Sequence, residues 1–209
     1  MIRNGRLIAI VSTVVLCAIP GGASLDAAVG QSADTDAPTL VQQVRTATRG
    51  FQNVANAEAA GYTSLGSCVS SAQEGAMGIH YAKPELIGDG QVDAGQPELL
   101  IYEQRGGRLH LVGVEFLVLA ADWDAAHGDG AAPVLVGQHF HYASSPNRYR
   151  LPAFYELHVW AWKSNRSGTF TDWNPAVACD EYTGVAGASN AGHGDGFGLT
   201  ARVNSPRHR

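Results

Sequence analysis

The chain has 209 residues, of which 45% are hydrophobic and 16% charged, with a formal charge of −5. That is apolar material for one core and too little length for two ordinary domains. The acidic balance, with only two lysines (Lys83 and Lys163) and scattered arginines, excludes the basic face that a nucleic-acid binder needs to displace counterions.

Residues 1–28 have the three parts of a secretory signal: Arg3 and Arg6, then the apolar run Leu7–Ile19, then Pro20-Gly21-Gly22 and small residues. The run is 13 residues long, short of the roughly 20 that span a bilayer, so cleavage rather than anchoring is expected. The mature protein is then extracytoplasmic, either secreted or periplasmic, with no membrane anchor. Cleavage removes Cys17 and leaves Cys68 and Cys179. An even number of cysteines in an exported chain predicts a disulfide.

Residues 29–37 are small and polar, a flexible lead-in. A helix is predicted from Pro38 and Thr39, with Leu40, Val44, Ala47, Phe51, Val54 and Ala55 as its buried stripe and Gly61 as its stop. The pattern then turns to strands: Met77–Tyr81, Glu98–Gln104, Leu109–Ala120, Val134–Tyr142 and Phe154–Lys163. Arg105-Gly106-Gly107-Arg108 reads as a hairpin turn, and residues 121–132 and 143–152 read as loops. Residues 38–183 form a single compact domain, and 184–209, rich in Gly, Ala, Ser and Asn, read as a disordered tail. One helix followed by about five strands is an α+β arrangement. The central strand is apolar on both faces, which predicts a curled, mostly antiparallel sheet or partly closed barrel with the helix packed on it.

Five blocks carry a resemblance: Met77-Gly78-Ile79-His80-Tyr81, Pro97-Glu98-Leu99-Leu100-Ile101-Tyr102-Glu103, Leu111-Val112-Gly113-Val114-Glu115-Phe116, Glu156-Leu157-His158-Val159-Trp160-Ala161-Trp162 and Asp172-Trp173-Asn174-Pro175. As a set they resemble a family of uncharacterised exported bacterial proteins. The resemblance implies export and one compact domain, and implies no activity.

Five histidines fall in predicted strands: His80, His110, His139, His141 and His158. By alternation His139 and His141 share a face, as do Glu156, His158, Trp160 and Trp162. The His-x-His at 139–141 resembles the metal motif of cupins, but the glutamate that should follow is missing between Ala143 and Tyr155. Glu115 lies mid-strand in an apolar run, where a carboxylate needs a partner: an arginine such as Arg148 or Arg150, or a cation. His80, Glu115, His141 and His158 are therefore the candidate ligands of a divalent transition metal such as zinc, copper or iron. The acidic stretch 122–130 lacks the spacing of a calcium loop. No nucleophile elbow, P-loop or dinucleotide fingerprint is present. The readings that remain are a metal- or small-ligand-binding module, a metal-dependent enzyme using the same residues, and an envelope protein with no site.

Overall fold

The computed structural model describes residues 39–128 and 130–184. The predicted signal segment, the predicted lead-in and nearly all of the predicted tail lie outside the described residues, as do His193 and His208. An N-terminal helical segment packs on a six-stranded antiparallel sheet of order β1-β2-β3-β4-β8-β7, curled through 196° into a half-barrel. The strands are β1 (Thr63–Ser71), β2 (Gly75–Ala82), β3 (Leu99–Arg105), β4 (Arg108–Leu119), β7 (His141–Ala143) and β8 (Phe154–Val159); β5 (Val134–Leu135) and β6 (Gln138–His139) form a separate small hairpin.

The helical segment is two helices rather than one. Helix α1 (Leu40–Thr48) opens on a capping box, with Thr39 Oγ1 accepting from the Gln42 N–H at 3.3 Å and the Gln42 side chain accepting from the Thr39 N–H at 2.7 Å. A 3-10 turn over Arg49–Gln52 interrupts it, and α2 (Val54–Ala59) restarts from Asn53, whose side chain accepts from the Ala55 N–H at 3.2 Å. The break spoils the predicted stripe. Leu40 and Val44 are buried, Ala47, Phe51 and Val54 are half-buried, and Ala55 is exposed. Gly61 ends the segment at φ +96°, as its position suggested.

Both faces of the sheet are covered, which is why β4 is apolar on both sides. On one face Leu40 and Val44 join Ile79, Tyr81, Leu100, Tyr102, Val114, Phe116, Leu157 and Val159 in the main core. On the other face lie two smaller apolar clusters: Ala82, Leu99, Leu117, Leu151 and Phe154 in one, and Ala76, Ile101, Val112, Trp160 and Val177 in the other. The segments around 144–153 and 163–179 cover this second face. The later one is pinned twice. Asn174 makes an antiparallel bridge to Ala76, and Cys179 is disulfide-bonded to Cys68 across 111 residues.

Four further expectations change. Strand β1 was absent from the sequence reading. It is an edge strand with few large apolar residues and a bulge between Ser64 and Cys68, so it carries no alternation to read. A short helix α3 (Pro84–Ile87) follows β2, and the predicted loop after β4 begins with helix α4 (Ala120–His127). The predicted strand 134–142 is cut by a turn at Val136 and Gly137, both at positive φ, so His139 belongs to the small hairpin and His141 to the main sheet. Finally, β8 stops at Val159, where the Ala161 N–H donates to the Val159 carbonyl at 2.8 Å. The alternation is lost there. Trp160 stays beside His158, while Trp162 turns to the helix side and its indole N–H donates to Thr48 Oγ1 at 3.0 Å.

Candidate metal centre

The three central strands set the site by register. Glu115 on β4 pairs directly with His158 on β8, so the two side chains leave the same face. His80 on β2 pairs with Ile101 on β3, which in turn pairs with Gly113 on β4. Two residues along β4 from Gly113 is Glu115, so His80 shares that face as well. His80, Glu115 and His158 thus sit between the two small apolar clusters, at 1%, 0% and 0% exposure. His80 Nε2 lies 3.3 Å and His158 Nε2 3.7 Å from Glu115 Oε2.

Two neighbours shape the pocket around His158. Trp160 stacks on its ring with centroids 6.3 Å apart. Gly113 makes room for Trp160: a Cβ there would lie 2.8 Å from the Val159 carbonyl oxygen and 3.2 Å from Trp160 Cε3.

Neither ring nitrogen of His80, neither of His158 and neither oxygen of Glu115 has a hydrogen bond of proper geometry. The 3.3 Å approach of His80 to Glu115 is close but misdirected. Six such atoms in one place are unusual, because each buried polar group left unpaired costs about 1–3 kcal/mol. One ligand atom from each residue falls within a common span of 4.8 Å. Ligands about 2.0–2.1 Å from a tetrahedral ion stand roughly 3.3 Å from one another, which the 3.3 and 3.7 Å separations approach.

His141 does not join them. It shares the face, opposite Glu156, but β7 is the sheet edge and lies one strand farther from Glu115. Its side chain is 60% exposed, and its Nδ1 reaches Asp172 Oδ1 at 3.6 Å instead. The same Asp172 oxygen lies 3.6 Å from His158 Nδ1. An acid behind a histidine in this position is the usual second layer of a metal site, aiming the other ring nitrogen inward. His110 and His139 lie elsewhere, on β4 and in the small hairpin. The acidic stretch around α4 is structural, with Tyr155 donating to Asp124 Oδ1 at 3.0 Å.

Burial governs the charges here. It pushes the Glu115 carboxyl up to about 7, and the Asp172 charge adds to this while Glu156 and Arg148 oppose it. Glu156 rises to about 9, first from burial and then from the Glu115 charge. His80 falls to about 4, from burial and then from the Arg148 charge. His158 falls well below the usual range, from burial and then from His80. Both imidazoles are therefore neutral at pH 7, with lone pairs free for a cation. Arg148, named from sequence as a partner for Glu115, acts on it through space. Its own side chain contacts Met77 Sδ at 2.9 Å and lies over the Trp173 ring at 5.2 Å. Arg150 is exposed and makes no ion pair among the described residues.

Sequence reasoning missed Asp172, Glu156 and Tyr149 as members of the site. Glu156 was legible as a same-face neighbour of His158. Asp172 lies in a loop placed by the Asn174 bridge and the disulfide, and no local pattern announces that. Comparison with family models, curated proteins and solved structures finds no match to the chain.

Proposed function

We propose that the protein is an exported module that binds one divalent transition metal, with zinc the best fit, through His80, Glu115 and His158. The observation that carries this reading is the set of six polar atoms, all buried and none in a well-formed hydrogen bond, on three side chains from three strands. A cation bound there would pair one donor atom of each of the three residues, and two imidazoles with one carboxylate are a common zinc donor set. Asp172 would hold the His158 tautomer, and His141 would stay outside the coordination sphere. Export is supported by the signal-like N-terminus and by the disulfide. No helix among the described residues is long and apolar enough to cross a membrane.

Elemental analysis of protein purified without a His-tag, then stripped and dialysed against zinc, tests the reading. We expect one zinc per chain, lost in His80→Ala and His158→Ala and kept in His141→Ala. Zinc binding that survives His158→Ala, or that needs His141, would overturn it.

A further inference from the structure

A cleft of about 300 Å³ opens beside the centre, lined by residues that include Met77, Arg148, Tyr149, Glu156 and Asp172. That volume is at the low end for small-molecule sites. Three of these walls each meet a different member of the metal triad. The Tyr149 ring lies against His80, with centroids 5.9 Å apart. The Glu156 carboxyl adjoins Glu115, and Asp172 reaches His158 at 3.6 Å. The cleft therefore lies directly over the centre.

Its charges are unevenly engaged. Asp172 is turned to two imidazoles, and Glu156 is turned to Glu115. Arg148 forms no ion pair with a carboxylate among the described residues. Its side chain touches a thioether sulfur and an indole ring, a weak acceptor and a π face, which leave a guanidinium fork available for an anion.

The geometry points to a second component of the site: the cleft receives a small monocarboxylate whose charge answers Arg148 and the bound cation together. This rests on the metal reading, since a divalent ion held by a single carboxylate keeps net positive charge at its open position. A carboxylate is favoured over phosphate because the Asp172 carboxylate flanks the cleft and repels a doubly charged anion more strongly. Arginine also matches the planar carboxylate with two parallel N–H groups.

The test is a titration of the cobalt-loaded protein with glycolate, followed by the visible d–d bands of the ion, with inorganic phosphate as the comparison. A saturable change is expected, with glycolate binding more tightly than phosphate. In Arg148→Gln, at unchanged cobalt stoichiometry, glycolate should bind at least tenfold more weakly, and Arg148→Lys should recover part of the loss. A cobalt form whose bands ignore glycolate, an Arg148→Gln protein that responds as the parent does, or a preference for phosphate overturns the assignment and leaves the metal reading standing. A protein that takes up no cobalt overturns both.

Discussion

Glu115 and Glu98 are two buried carboxyls with different solutions to the same problem. Glu115 has two imidazoles and the Glu156 carboxyl for neighbours and no well-formed hydrogen bond. Glu98 accepts from the Leu117 N–H at 3.0 Å, yet burial still pushes its carboxyl up to about 9. A glutamate titrates near 4.5 when unfolded. Glu98 therefore contributes stability that is complete below about 4.5 and is lost as pH rises towards about 9. Glu98→Gln keeps the acceptor and removes the charge. It should flatten that alkaline decline and raise stability at pH 8 by about 1–3 kcal/mol, read from denaturant midpoints across pH. An unchanged pH slope would mean that Glu98 is not the group responsible. The two carboxyls also differ in legibility. Glu115 stood out because it interrupts an apolar run. Glu98 did not, because it stands at the very start of its predicted strand, directly after Pro97, where a polar residue is unremarkable. Asp172 was hidden more deeply, since its position depends on contacts with residues about a hundred positions earlier.

At the level of elements, periodicity exposed the buried strands and failed at edges and breaks. Strands β2, β3 and β4 run close to their expected bounds because each is buried along most of its length. The half-exposed β1 and the three-residue β7 carry little pattern. The alanines of α4 favour a helix, but its two aspartates and following glycines read as a loop. The break after α1 has an energetic consequence. Leu40 is buried at 2% exposure, whereas Phe51 is half-buried at the margin of the core, edge-on against Tyr62. Leu40→Ala should cost about 2–4 kcal/mol, and Phe51→Ala less than that. Equal costs in urea unfolding would mean that the helical segment packs as one rigid rod. Gly113 links packing to the site. Gly113→Ala should push Trp160 against His158, cost about 1–3 kcal/mol, and weaken zinc binding in equilibrium dialysis. Parent-like affinity would show that the Trp160 stack does not position His158.

For the molecule as a whole, the disulfide and the centre act on the same face. The Asn174 bridge and Cys179 both pin the chain just after Asp172. Closing a loop of 111 residues should stabilise by roughly 4–5 kcal/mol in the chain-entropy model. The chain from residue 29 onward should show no free thiol when denatured without reductant, and a chain retaining residues 1–28 should show one, from Cys17. The curled sheet with both faces covered was legible from the doubly apolar β4. That three of the four candidate ligands converge was not, because alternation assigns a face without saying which strand neighbours which. The most direct measurement of the central claim is X-ray absorption at the zinc edge of the loaded protein. Two imidazole nitrogens and carboxylate oxygen at about 2.0–2.2 Å, with the same shell in His141→Ala, is the expected result. A shell of six oxygens with no imidazole scattering would contradict it.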